Sequence, residues 1–384
     1  MEPESQTDFN TYCAFCGVHF TRQSLGHENM VSDPRLDEAP CQHCRQGVKK
    51  PGHSTTCHSR YSPELLSRTN LGWLRRFYIL QLSAEPDHES GATPVSLRDV
   101  VGRAEGTFMA RNSIGLWEHF HDKTSSYYGH RNDPIRAFPF HQCCYALFID
   151  VLAAMGDPPH VDMEILFRTM RDLTIEPSVQ ALSLDYGDLT PRPRRKDGKA
   201  RFWESLPGEE FFVSHPTPPV RGLEESLRKR IAIDHQRTHP TKHTEPRISN
   251  DPFSSLPPHL LDNIHTRLDS ESLVALGEAS AYVDAALHDS DAVWKLQIVR
   301  AMPWFPEMHN IVNDTDALRG TDCRNLFLWL RETTQPRLFV EKTWLGVVNR
   351  RRIWKVCEEF AAHYRAMKER CYELRAQGLY DPKD

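Results

Sequence analysis

No stretch of this chain reaches the about 18 to 20 apolar residues that a bilayer span requires. The strongest candidate, YALFIDVLAAM, is interrupted by Asp150. The opening residues MEPESQTDFN hold no basic region followed by an apolar run, so a secretory leader is not expected. The chain is read as soluble and intracellular, cytoplasmic or nuclear. Three catalytic spellings are also missing: the Gly-x-Ser-x-Gly elbow, the phosphate-cradling loop that ends in Gly-Lys, and the His-Glu-x-x-His zinc helix. A strong excess of one charge is lacking too. A net charge of −5 argues against a chain that grips nucleic acid or an anionic bilayer over its whole surface. No internal repeat is visible, which excludes a solenoid.

What is present suits two or three domains. The 384 residues are 39% hydrophobic and 26% charged, enough for sizeable cores, while 27 prolines leave room for a long unpacked segment. That segment is expected at 188–250. Between Pro191 and Asn250 lie eight prolines, thirteen Lys or Arg and eight Asp or Glu, starting with PRPRRKDGKAR, and little periodicity. It reads as a Pro-rich basic linker, in which RFW (201–203) and EFFV (210–213) are the pieces able to dock on a folded domain. Its basic start suits a solvated surface better than an import signal.

Upstream, SPELLSRTNLGWLRRFYIL (62–80) predicts a helical stretch broken near Gly72. FHQCCYALFIDVLAAM (140–155) and VDMEILFRTMRDL (161–173) predict two further helices. GTFMA and VSLRDVV are short alternating pieces, either strands or turns.

Ten cysteines in a reducing compartment call for metal or packing rather than disulfides. Two Cys-x-x-Cys pairs stand close together, Cys13/Cys16 and Cys41/Cys44. That spacing turns two sulfurs towards one point about 2.3 Å from a zinc ion. A following glycine, here Gly17, lets backbone amides face the thiolates; Cys44 is followed by Arg45 instead. His141 and Cys144 share the opening turn of a predicted helix. A knuckle plus two ligands from the first turn of a helix is the arrangement of treble-clef zinc sites, so Cys13, Cys16, His141 and Cys144 are the preferred set. Cys41, Cys44 and Cys57, with His53 or His58, then offer a second site. The rival pairing puts both knuckles on one ion and leaves His141 and Cys144 in the core. A closed four-ligand zinc site folds a domain rather than catalysing. His119, His121 and Asp122 in WEHFHDK are read as surface or packing residues rather than an acid–base pair.

After the linker, DPFSSLPPHLLDNIHTRLDSESLVALGEAS carries few polar groups of catalytic type. Prolines open a helix bearing Leu260, Leu261, Ile264 and Leu268 on one face. Asp269 or Ser270 caps a second helix with Leu273, Leu276 and Val283, and Asp289 or Ser290 starts a third with Val293, Trp294 and Ile298. This stretch resembles an F-box: Leu256-Pro257, Leu260-Leu261, Ile264, Leu268, Ser272-Leu273, Leu276, Ser280 and Trp294 each match its pattern. His259 stands where that pattern has an acidic residue, and Gly277-Glu278 where it has an Arg-hydrophobic pair. The wider chain resembles fungal F-box proteins with an N-terminal knuckle through CAFCG, SPELLSRTNLGWL, FPFHQCCYALF, LDYG, DPFSSLPP and LGVVNRRRIWKVC; 41–58 departs from that pattern. The resemblance implies a substrate-recognition adaptor of an SCF-type ubiquitin ligase, docked on the Skp adaptor and through it on a cullin-RING ligase. Leu256, Pro257, Leu260, Leu261, Ile264, Leu268, Leu273 and Leu276 are the expected anchors, with no catalytic residue of the chain's own. Trp294 is expected to support the core.

From Ile353 to Leu374 apolar residues alternate spacings of four and three, predicting a long amphipathic helix capped by Asn349. It is expected to dock on the helix at 316–331 and on the F-box. Arg350, Arg351 and Arg352 would then stand in its first turn, where cations are disfavoured and internal partners are expected. The expected fold is mainly α with some irregular or β content (α+β). It comprises a zinc-supported domain at 1–187, the linker at 188–250, the three-helix F-box at 251–300 and a C-terminal helical region at 301–384. One or two structural zinc ions, the Skp adaptor and an unknown protein substrate are the expected partners. A zinc-containing nucleic-acid or transcription-associated protein using the basic linker is the alternative, disfavoured by the absence of an aromatic-basic strip.

Overall fold

A computed structural model describes residues 13–18, 65–66, 71–82, 95–102, 108–111, 117–119, 137–174, 182–187, 208–217, 219–220, 222–237, 251–288, 290–314 and 316–380. It is mainly helical with an antiparallel sheet. The backbone contacts divide it into two compact units, Met1–Pro216 together with Pro336–Asp384, and Thr217–Gln335. Among the described residues no helix is long and apolar enough to cross a membrane.

The first unit is built on five strands: β1 (Arg76–Leu82), β2 (Val95–Gly102), β3 (Phe108–Arg111), β4 (Trp117–His119) and β5 (Ala137–His141), in the order β4-β3-β2-β1-β5. β1 lies between β2 and β5, with Phe77 opposite Val100 on one side and His141 on the other. The helix expected over 62–80 is thus replaced, where described, by a short 3-10 turn at Gly72–Arg75 and by β1. A strand buried on both faces has a continuous apolar run, and Trp73, Leu74 and Phe77 happen also to fit a helical face. VSLRDVV and FMAR are strands.

Two helices contact this sheet, α1 (Gln142–Ala154) and α2 (Met163–Asp172), close to the expected spans. The Asp162 carboxylate caps α2 by accepting from the amides of Glu164 and Ile165, at 2.9 and 3.1 Å. Later segments of the chain also belong to this unit. The 3-10 turn Glu210–Val213 is buried throughout, so the EFFV piece of the expected linker is part of the domain core.

The helix at the C-terminal end, Leu345–Ala376, packs on α1, α2 and the 210–213 turn. It therefore joins the sheet unit, not the helices within 251–331 on which it was expected to dock. The reason lies in its seam: Phe360 meets Phe15 and Phe148 edge-on at 5.1 and 5.2 Å, and Tyr364 meets Phe148 at 5.8 Å. The Tyr364 hydroxyl also accepts from the Asp162 amide at 3.0 Å. Tyr380, just beyond this helix, has the guanidinium groups of Arg168 and Arg375 over its ring, 4.8 and 4.4 Å from its centroid, and its hydroxyl bonds Glu164.

The second unit is helical: α3 (Leu223–Arg237), α4 (Pro258–Arg267), α5 (Ser270–Ala279), α6 (Ala281–His288), α7 (Asp291–Ala301), α8 (Pro306–Asn313) and α9 (Cys323–Thr333). In chain order the C-terminal helix is α10. α3 lies within the expected linker, and a Glu224–Arg228 pair at 3.1 Å one turn apart supports it. α7 packs against α8 and α9, so 251–300 does not end its unit at Arg300.

The helix expected from Asp269 past Val283 is two helices. Asp269 caps α5 as expected, accepting from the Ser272 amide at 2.7 Å. Ser280 then turns extended and caps α6, its hydroxyl accepting from the Val283 amide at 3.1 Å while donating to Asp251 at 2.6 Å. Asp251 also accepts from the amides of Phe253 and Tyr282. One aspartate thus ties the start of the DPFSSLPP segment to the α5–α6 corner.

Gly277 is buried at this corner, and a Cβ there would stand 3.3 Å from Asp284 Oδ1 and 3.7 Å from Leu287 Cδ1. The absence of a side chain leaves room there for Asp284 and Leu287 of α6. Asp284 is a half-exposed side chain in an ion pair with Arg324 at 2.6 Å and can shift by tenths of an ångström. Gly277→Ala is therefore expected to raise stability by up to about 1 kcal/mol through helix propensity. Gly277→Leu is expected to lower it by about 1 to 3 kcal/mol by overpacking. Urea unfolding of the two variants measures both.

Candidate metal centre and docking surface

The knuckle is a tight turn. Cys13 N–H donates to Val18 O at 2.9 Å and Gly17 N–H to Cys13 O at 2.8 Å, and Gly17 adopts φ 70°, which a side chain would resist. Ala14 N–H donates to Pro139 O at 3.0 Å, which lays the knuckle along β5. β5 ends at His141 and α1 begins at the next residue, so His141 and Cys144 come from the strand end and first turn of one continuous segment.

The four expected ligands meet. The Sγ atoms of Cys13, Cys16 and Cys144 and a ring nitrogen of His141 all lie within 4.8 Å of one another, and all four residues are buried. Cys16 Sγ is 3.3 Å from His141 Nδ1, and the His141 amide donates to Cys13 Sγ at 3.3 Å. These are the four residues grouped as the preferred set from sequence. Cys41, Cys44, Cys57, His53 and His58 lie outside the described residues. Cys143, next to Cys144, is half-buried and outside the four-residue group. In the other cluster considered, His119 ends β4, and His121 and Asp122 lie outside the described residues.

Three thiols packed this closely cannot all ionise unaided. Burial pushes the Cys13 thiol up, but hydrogen bonds from Cys144 and Cys16 and the charge of His141 outweigh it and hold Cys13 well below its usual range. Burial, added to by the Cys13 neighbour, pushes Cys16 and Cys144 well above theirs. A divalent cation reverses this, since a coordinating thiol is deprotonated outright. Donor type, number, mutual distance and burial all fit a closed metal site.

The surroundings hold the ligands in place. Trp73 packs edge-on against the His141 ring at 4.6 Å and donates its indole N–H to Val213 O at 2.9 Å. Phe15, between the two knuckle cysteines, is wholly buried among Phe140, Phe148 and Phe360. Cys357 places Sγ 3.9 Å from Cys144 O, and burial raises its thiol well above the usual range, an inert packing cysteine. Sequence reasoning did not assign Trp73, Tyr186 or Cys357 to the site; their presence in the quoted motifs was the signal available.

In the second unit the eight expected anchors separate. Leu261 and Leu273 are 3% and 0% exposed and belong to the unit's own core. Leu256, Ile264, Leu268 and Leu276 are half-buried, Pro257 is exposed, and Leu260 is 43% exposed. Trp294 is a core residue, donating to Leu287 O at 2.7 Å and lying 5.4 Å from the Phe327 ring.

His265, on the inner side of α4, is buried and its Nε2 makes no hydrogen bond. Burial pulls its pKa below the ordinary value, against the opposing charge of Asp262. Burial favours the neutral ring, so its contribution to stability is intact above the unfolded value of about 6.5 and is lost as pH falls below it, by at most about 1.4 kcal/mol per pH unit. His309 in the same unit is lowered by burial too. His265→Met is therefore expected to flatten, not abolish, the loss of stability between pH 6.5 and 5, read from urea midpoints.

No family model, curated protein or solved structure matches this chain.

Proposed function

We propose that this chain is the substrate-recognition adaptor of an SCF-type ubiquitin ligase, docked on the Skp adaptor through residues 251–300. One observation carries the reading: α4 buries Leu261 and His265 in its own unit while Leu260 stays 43% exposed, with Pro257 exposed and Leu256, Ile264 and Leu276 half-buried. Aliphatic anchors left outside a complete core suit a partner's helices. Together with the F-box pattern of LPPHLLDNIHTRLDSESL, they favour a Skp-type partner. In this reading the chain supplies proximity rather than chemistry, holding a protein substrate near a charged conjugating enzyme in the cytoplasm or nucleus. The ion at Cys13, Cys16, His141 and Cys144 is zinc, and its role is structural, because three thiolates and an imidazole fill a tetrahedral shell.

A pull-down of purified full-length chain with purified Skp adaptor tests the docking. Binding in a 1:1 complex is the expected result; no complex at micromolar concentrations overturns it.

A further inference from the structure

We infer that Arg352 is the counter-charge of the metal centre, a positioning residue that offsets its net negative charge and clamps the knuckle carrying two ligands. This rests on the zinc reading above. Three thiolates, a neutral imidazole and a divalent ion leave one net negative charge. All four ligands are 0 or 1% exposed, and an isolated charge so placed is costly unless a cation lies close by.

Arg352 is a cation that touches the knuckle. It projects from α10 and is 3% exposed. Its Nη1 donates to Cys16 O at 2.8 Å and to Tyr186 O at 3.1 Å, and its Nε and Nη2 donate to Asn349 Oδ1 at 3.3 and 3.0 Å. Asn349, expected to cap the helix, instead lies inside α10 and fixes the guanidinium while donating to Ser214 O at 2.7 Å. The guanidinium lies 4.5 Å from the Phe212 ring centroid, a stacked and water-excluded position. Tyr186 closes the arrangement from the other side, its hydroxyl donating to Ala14 O at 2.7 Å. Gly187, at φ 70°, runs past the Arg352 side chain, where a Cβ would stand 3.4 Å from its Cγ.

Four segments far apart in the chain, CAFCG, LDYG, EFFVS and VVNRRRIW, thus converge on one guanidinium beside the site. A planar fork can reach Cys16 O, Tyr186 O and Asn349 Oδ1 together; an ammonium supplies the charge but not the fork. A merely structural anchor would need the hydrogen bonds and not the charge, and the two roles separate experimentally.

The experiment is zinc affinity of the full chain, by competition with a chromophoric chelator, for wild type and for Arg352→Lys, Arg352→Gln and Arg352→Met. Loss of the charge in Gln and Met is expected to weaken zinc binding by about 10- to 100-fold, the usual effect of removing an outer-shell partner. Lys is expected to recover most of that loss. With cobalt(II) in place of zinc, the thiolate charge-transfer band is expected to move to longer wavelength in Gln and Met and to stay near wild type in Lys. Should Arg352→Met not yield folded protein, Lys against Gln decides in its place. Equal affinity in all variants, or Lys as weak as Gln, overturns the inference and leaves the zinc reading standing. A wild type that takes up no zinc overturns both.

Discussion

In the zinc-bound protein proposed above, removal of the metal by a strong chelator, or the substitution Cys144→Ser, is expected to unfold the sheet-containing unit. The knuckle, β5, the first turn of α1 and the middle of α10 meet at four ligands that are fully buried. Without an ion, burial opposes ionisation of Cys16 and Cys144, and three sulfurs with an imidazole are left at the centre of an aromatic core. Structural zinc supplies about 10 to 16 kcal/mol of apparent binding free energy in small zinc domains at neutral pH. A domain's whole stability is about 5 to 15 kcal/mol, so loss of the ion is expected to be decisive. Hydrogen exchange reads it: amides of β5, α1 and α10 lose protection while those of α4 to α7 keep theirs. Full protection of β5 and α1 in metal-free protein would show that the ion is not structural. Ligand thiols release protons on binding, so the metal is also expected to dissociate as pH falls. Metal analysis counts the sites. One ion per chain that survives Cys41→Ser fits the described cluster, and two ions would bring Cys41, Cys44 and Cys57 into a second.

The second large effect is expected at Leu260. Leu260→Asp should weaken binding to the Skp adaptor by at least about 30-fold, the scale of a hot-spot anchor. Its side chain is 43% exposed, so the unit's own stability should change by no more than about 0.5 kcal/mol. Leu273→Ala is the counterpart. Leu273 is fully buried, and its truncation is expected to cost about 2 to 5 kcal/mol of stability. Isothermal titration with urea unfolding on both variants separates the two outcomes. If Leu260→Asp binds as tightly as wild type, the docking face lies elsewhere.

Local signals in this chain were legible where the physics is local. Asp269 caps its helix where the pattern places it, since a carboxylate bonding an amide three residues on needs nothing distant. The knuckle was legible for the same reason, with Gly17 supplying the left-handed turn. Ser280 was harder. Leu273, Leu276 and Val283 keep a helical spacing across a corner that the Asp251 carboxylate, 29 residues before Ser280, helps to hold. The RFYILQL strand was illegible because its apolar run also fits a helical face and one of its two partners, β5, lies about sixty residues on. Asn349 and the arginines after it resembled a cap and a costly first turn; the helix begins at Leu345, and Arg350 and Arg352 instead donate to backbone oxygens of Pro216, Cys16 and Tyr186.

The sequence by itself determined which residue types could bind a metal and which short segments become helices, because coordination chemistry, capping and turn preference act over a few residues. Only the tertiary structure decided that Cys13 and Cys16 meet His141 and Cys144, that α10 closes over them with Arg352, and that Leu261 faces inward while Leu260 faces out. Those outcomes depend on which surfaces far apart in the chain exclude water together. Burial of that kind is a sum over contacts that no local spacing encodes.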